Sequence, residues 1–245
     1  MMSGHSKWAQ IKRQKGVTDQ KRGALFTKLA NVITIAAREG GGDPEMNFKL
    51  RLAMEKAKQS NMPKNNIERA VKRGIGEVPG VQIEEVTYEG FGPGGIALVI
   101  EAITDNKNRT ASTLRHILLK YGGNLSGTKS VLWMFSRKGI LKIAKSHIQN
   151  IAKEELELKV IDVGVEDIIE ENDELTILTK PENLQKVKEN LEAQNIKADY
   201  VEIELIAKDK INIEDKNIRD KIEKLFEELD GLDDIDNFYS NYGEI

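Results

Sequence analysis

The sequence contains no cysteine, which removes disulfide cross-links, thiolate catalysis and Cys-ligated zinc together. A cysteine-free chain suits a reducing compartment, and the expected location is cytoplasmic. Long apolar runs are missing too. No uninterrupted hydrophobic stretch approaches the roughly 20 residues that a bilayer-spanning helix needs. The cations near the N-terminus are not followed by the apolar segment of a secretory signal, so no membrane partner is expected. Histidine is scarce: His5, His116 and His147 lie far apart and match neither HxxxH nor HExxH spacing, so no metal site is expected. No serine sits in a nucleophile elbow. The run GFGPGG at 90–95 lies between two strand-like stretches, opens no helix and lacks a following Lys-Ser/Thr pair. It therefore reads as a turn, not a phosphate loop. The acidic clusters 166–174 and 223–236 fit no calcium-binding loop and read as solvated faces. With no convergent catalytic groups, neither enzymatic activity, cofactor nor small-molecule substrate is expected.

What the chain does have is an uneven distribution of charge. A formal net charge of −3 over 245 residues conceals two opposed regions. Residues 1–80 hold 16 Lys and Arg against 7 Asp and Glu, a balance of +9, whereas the remainder holds 21 against 33, a balance of −12. A polyanion's field would orient such a molecule. The basic character is densest in GHSKWAQIKRQKGVTDQKRGALFTK (4–28), where Lys7, Lys12, Arg13, Lys15, Lys21, Arg22 and Lys28 face a single acid, Asp19. Trp8 sits beside the first of these cations. Lysine and arginine displace counterions from phosphates and an indole stacks on unpaired bases, so this composition fits a nucleic-acid surface. The same residues would also serve as a solvated arm that Trp8 pins to the body.

Periodicity places secondary structure along the chain. From about Arg22 the apolar residues Leu25, Leu29, Val32 and Ala36 recur at helical steps, with Phe26, Ile33 and Ala37 beside them, until Gly40–Gly42. Asp43-Pro44 reads as the start of a second helix, with an N-cap acid and a proline in the first turn. Its core stripe is Leu50, Ala53, Met54 and Ala57, flanked by Lys49 and Lys56 on one side and by Arg51 and Lys58 on the other. A third helix opens at Pro63, carries Lys64, Arg69, Lys72 and Arg73, and ends at Gly74. These predict a basic all-α module, for which a helix-turn-helix label is weakly supported because no base-reading residues stand out. Strands follow at 86–88 and 96–103, then a helix carrying Ala111, Leu114, Leu118 and Tyr121, and then strands at 131–136 and 139–144 around Arg137-Lys138. A helix near 151–163, a hairpin at 166–179 turning on Asn172-Asp173, a helix at 182–194 and a strand at 199–206 complete a βαββαβ order, the ferredoxin-like split unit. A helix near 214–229 and an acidic tail with Phe238, Tyr239 and Tyr242 close the chain.

Five segments carry a resemblance to a known family: SGHSKWAQIKRQKGVTDQKRGALFTKL, AAREGGGDPEMNFKLRLAMEKAKQSNMPKNNIERAVKRG, YEGFGPGGIALVIEAITDNKNRT, RHILLKYGGNL and VLWMFSRKGI. Together they resemble the YebC/PmpR family, which includes the mitochondrial translational activator of cytochrome c oxidase. The resemblance implies an α+β fold of three domains: a basic three-helix domain (1–79), a central α/β domain (80–136 with 207–245) and an inserted ferredoxin-like domain (137–206). It also implies a non-catalytic regulator of gene expression. Members are described both as DNA-binding transcriptional regulators and as translation factors at the ribosome. With no dimer signature to match palindromic half-sites, and an arm suited to irregular RNA, RNA or the ribosome is the favoured partner and duplex DNA the alternative. By resemblance TDNKNRT (104–110) belongs to the working surface, adding Asn106 and Arg109 to the candidate residues; a plain helix N-terminal turn explains them equally. The segment LSGTKSV (125–131) departs from the family's glycine-rich pattern, Lys129 standing where glycine is usual. An expectation of another class is a protein-interaction adaptor, docking through the ferredoxin-like sheet or an acidic face.

Overall fold

The computed structural model of the protein describes residues 19–148, 163–171 and 173–243. They form two compact units, one running from Phe135 to Ile206 and the other assembled from the chain on either side of it.

The larger unit begins with α1 (Asp19–Gly40), α2 (Phe48–Gln59) and α3 (Lys64–Gly74). Their apolar stripes meet in one core: Leu29, Ile33, Ala36 and Ala37 from α1, Leu50, Ala53 and Ala57 from α2, Ile67 and Ala70 from α3, with Met62 between. Asp43-Pro44 does not open α2. Those residues form a turn in which the Asp43 carboxylate accepts from the Glu45 N–H (2.9 Å), and the helix starts four residues after Pro44. The cap is Asn47, buried and fully used. Its Oδ1 accepts from the Leu50 N–H, and its Nδ2 donates to the Ala36 and Gly41 carbonyls, both at 2.8 Å. One side chain thus caps α2 and ties its start to the end of α1. Gly74 is the last residue of α3, and a Cβ there would stand 2.5 Å from the Thr34 carbonyl of α1. The left-handed turn out of the helix falls at Gly76 (φ 81°).

The central sheet has the order β3-β1-β2-β9, from β1 (Glu84–Phe91), β2 (Ala97–Thr104), β3 (Asn124–Ser126) and β9 (Ile235–Ser240). GFGPGG is the β1–β2 connection, with Gly94 at φ 72° and Gly95 at φ 77°. β2 is central and buried on both faces. Leu98, Ile100 and Ala102 point to a core shared with α4 (Lys107–Lys120) and α6 (Lys216–Asp230). Ile103, on the opposite face by the two-residue strand period, packs with Ile83 and with Ile35 of α1. The acidic tail is not a solvated end: it forms β9 against β2, with Ile100 opposite Phe238 and Val99 opposite Tyr239. Phe238, Tyr239 and Tyr242 are all buried. Asn241, also buried, accepts from the Ala97 N–H at 2.7 Å, and β10 (Tyr242–Gly243) pairs in parallel with β8 (Ile211–Asn212).

The smaller unit is a sheet of order β5-β6-β4-β7, made by β4 (Phe135–Ala144), β5 (Val165–Glu171), β6 (Glu174–Thr179) and β7 (Tyr200–Ala207), with α5 (Leu184–Ala193) between the last two. That order is the one a ferredoxin-like unit takes. Arg137-Lys138 is not a turn. β4 runs unbroken through both residues, and Lys138 pairs with Glu166 of β5 at 2.7 Å. The helix expected near 151–163 lies outside the described residues but for its last position. In the larger unit, Met134, just before the inserted segment, accepts at its carbonyl from the N–H of Lys208, two residues past the segment's end, at 2.9 Å.

Candidate nucleic-acid interface

The arm residues Lys7, Trp8, Lys12, Arg13 and Lys15 lie outside the described residues, as does the side chain of Lys21. Arg22 is exposed on the first turns of α1. Lys28, one helical face further on, is half-buried and donates to the Asp230 carbonyl at 2.8 Å. It therefore caps the C-terminal end of α6 and ties the helical part to the central part. A cation there also suits the negative end of the helix dipole.

The cations of α2 and α3 divide by what holds them. Lys49 bridges Glu39 (3.0 Å) and Glu85 (3.2 Å). Burial works against its charge, but the two carboxylates outweigh burial and raise its pKa. Arg51 lies over the Phe48 ring, 5.4 Å from its centre. Lys56, Lys58, Arg69 and Lys72 are exposed, and Lys64 reaches Glu68 at 3.6 Å. Arg73 differs from all of these. Its guanidinium is half-buried against α1, donating through Nε and Nη2 to Thr34 Oγ1 (3.1 and 2.8 Å) and through Nη2 to Asn31 Oδ1 (3.0 Å). Every one of those partners is neutral. Burial, and then the charge of Arg69 one turn earlier, lower the pKa of Arg73. Two guanidiniums therefore share one face of α3 at a four-residue spacing, with no carboxylate in ion-pair contact with either among the described residues. An anion placed between them would relieve their repulsion. A phosphate, which takes N–H donors from guanidinium groups, is an anion of that kind.

Asn106 and Arg109 are brought to the N-terminus of α4. Asn106 Oδ1 accepts from the Arg109 N–H (3.1 Å), an N-cap, and Arg109 Nη2 contacts Asp234 (3.1 Å) and Asp105 (2.7 Å). The hydrogen bonds from Asp234 and then Asp105 raise the Arg109 pKa. Asp234 also accepts from Thr110 Oγ1 at 2.7 Å, so this cluster fastens α4 to the loop before β9. The segment thus has a structural task of its own, and Asp234 lines a small cleft with Lys28 and Asn31 of α1.

Two features escaped the sequence reading. Between Asp105 and Glu154 there is no acidic residue, while ten Lys and Arg occur there. Averaging that stretch into the acidic remainder hid it. The other is Glu89 on β1, buried at 5% exposure, whose carboxylate accepts from the backbone N–H groups of Lys129 (2.5 Å), Val131 (2.7 Å) and Leu132 (2.8 Å). Its signal is a long-range pairing, and no local pattern carries it. Lys129 takes φ 65°, the left-handed region a glycine adopts without strain. The departure from the family's glycine is therefore carried as local strain in the loop that Glu89 holds.

Comparison with known proteins fits this architecture. Residues 6–77 match the model described as the TACO1/YebC protein N-terminal domain, and residues 83–242 match the TACO1/YebC second and third domain. A protein of Natranaerobius thermophilus named "Probable transcriptional regulatory protein" is 48% identical over 241 residues, covering 98% of this chain and 96% of that one. A protein of the same name from Thermotoga maritima is 46% identical, covering 98% and 94%. The crystal structure of a conserved hypothetical protein, Aq1575 from Aquifex aeolicus, superposes with a TM-score of 0.82 at 42% identity, over 93% of this chain and 92% of that one. Taken with the helical, central and ferredoxin-like parts described above, these matches establish that the chain belongs to the TACO1/YebC family.

Proposed function

We propose that the protein is a non-catalytic regulator of gene expression that binds nucleic acid through its basic N-terminal part and acts on RNA at the ribosome. The observation that carries the reading is the Arg69–Arg73 pair: two guanidiniums one turn apart, that of Arg73 half-buried on neutral partners, and neither in ion-pair contact with a carboxylate among the described residues. Folded proteins rarely keep buried charge unpaired, and a phosphate supplies the missing partner. Arg51, Lys56, Lys58, Lys64 and Lys72 on the same two helices, with Lys7, Trp8, Lys12, Arg13, Lys15, Lys21 and Arg22 of the arm, extend this to a surface long enough for a polyanion. Lys28, Lys49, Asn106 and Arg109, each with an intramolecular task, complete the candidate set as residues that shape the surface.

The balance of +9 does not discriminate duplex from single strand. RNA is favoured by the mixture of cations with one indole in the arm. A DNA-binding transcriptional role is the alternative, and the names of the relatives favour it. Neutralising Lys12, Arg13, Lys21 and Arg22 together should weaken binding to every sequence. It should also flatten the dependence of log K on log salt by about 0.7–0.9 per lost phosphate contact. An unchanged slope removes the arm from the interface. Partition of labelled protein between ribosomes and excess random duplex DNA at physiological salt then decides the target. Retention on ribosomes supports the RNA reading, and capture by DNA supports the transcriptional one.

A further inference from the structure

Trp133 is 66% exposed, and no other aromatic side chain among the described residues is as open to water. It is nevertheless held in place. Its Nε1–H donates to the Ser130 carbonyl (3.0 Å), and its own carbonyl accepts from Lys208 Nζ (2.8 Å). Beneath it the buried Glu89 carboxylate gathers the N–H groups of Lys129, Val131 and Leu132. The backbone at Lys129 is in the left-handed region. Strained residues persist only where surrounding contacts over-determine them, and such places cluster at working sites. The indole N–H is already satisfied by the chain, so what the ring presents to water is its π surface. Lys129 and Lys208 are both exposed, and Lys129 has no carboxylate in ion-pair contact among the described residues. The loop also lies within the acid-free stretch between Asp105 and Glu154.

We propose that the 127–134 loop is a second nucleic-acid site, on the central part of the molecule: an unpaired base of single-stranded RNA stacks on Trp133 while Lys129 and Lys208 neutralise the adjoining phosphates. This rests on the nucleic-acid reading above and adds to it a site whose ligand has to be single-stranded. A duplex keeps its bases stacked on one another and offers Trp133 no free face. A π surface flanked by cations accepts any base, so the site gives affinity without sequence preference. An apolar protein partner is disfavoured by the two lysines, whose desolvation it would not compensate.

The test uses the full chain with Trp8→Phe, which leaves Trp133 as its one tryptophan. A short oligouridylate is titrated while Trp133 emission is followed. Because Trp8 belongs to the arm, overall binding is measured in parallel by anisotropy of a labelled copy of the same RNA. The expected result is saturable quenching over the concentration range of the anisotropy change, with little quenching by duplex RNA of equal length. In the otherwise native chain, Trp133→Ala should weaken oligouridylate binding by about 5- to 160-fold, the range base–aromatic stacking spans, and Trp133→Phe should recover part of the loss. Binding with unquenched Trp133 emission, or a Trp133→Ala protein that binds as tightly as its parent, overturns the platform and leaves the arm reading standing. Absence of any RNA binding overturns both.

Discussion

At the scale of single residues, Glu89 is held in its charged form by the backbone around it. Burial alone would raise its pKa, but the N–H groups of Val131, Leu132, Lys129 and Ser130 favour the charged form more strongly and lower it. A carboxyl depressed in the folded state stabilises fully above its unfolded pKa, about 4.3. That contribution fades as pH falls through the lower, folded value. Glu89→Gln removes the charge and points an amide toward N–H donors. The expected cost at neutral pH is about 2 kcal/mol, in the range for hydrogen bonds to charged groups. Urea unfolding of parent and variant should show that gap at pH 7, and the gap should narrow in acid below pH ~4. A gap constant with pH would mean that the carboxylate's charge contributes nothing.

At the scale of elements, α1 and α3 meet closely because Gly74 lacks a side chain. Gly74→Ala would place a Cβ 2.5 Å from the Thr34 carbonyl and 2.7 Å from the Ala37 Cβ. Neither neighbour is a flexible tip, so the helices have to separate. The expected loss is about 1–3 kcal/mol, read as a lower Tm, even though alanine is the better helix former. A variant as stable as the parent would show that α3 slides freely. Elements of this kind were largely legible in the sequence, because a 3.6-residue apolar period survives whatever the partner is. Leu29, Ile33, Leu50, Ala53 and Ala57 sit where that period put them. The errors fall where one local pattern has two uses. Asp-Pro suits a turn as well as a helix start, and the true cap, Asn47, is identified only by the Ala36 and Gly41 carbonyls it reaches. Arg137-Lys138 looks like a turn until Glu166 of β5, beyond β6 in the same sheet, pairs with Lys138. The candidate site was legible as charge composition. Which cations are tied up by Asp230, Glu39, Glu85 or Asp234 depends on contacts far away in sequence, and no local pattern records them.

At the scale of the whole molecule, the C-terminal segment closes the central sheet. β9 brings Phe238 and Tyr239 against β2, and Asn241 pairs with Ala97 on both its backbone and its side chain. Removing residues 232–245 should therefore abolish the cooperative thermal transition of the larger unit, since β2 would lose a partner strand and the unit three buried aromatic rings. The segment from Phe135 to Ile206 draws its sheet from its own residues. It should keep a transition of its own in the truncated protein, and a single unchanged melt would contradict this. The same arrangement sets an order of events during synthesis. β2 emerges early, yet Ile100 waits for Phe238, and the whole inserted segment is translated in the interval. Non-local strand pairs of this separation form late. Until then an apolar central strand is open on one edge, the state most exposed to association with other chains. A nascent molecule of this family is therefore most in need of a chaperone between the making of its second strand and the making of its ninth.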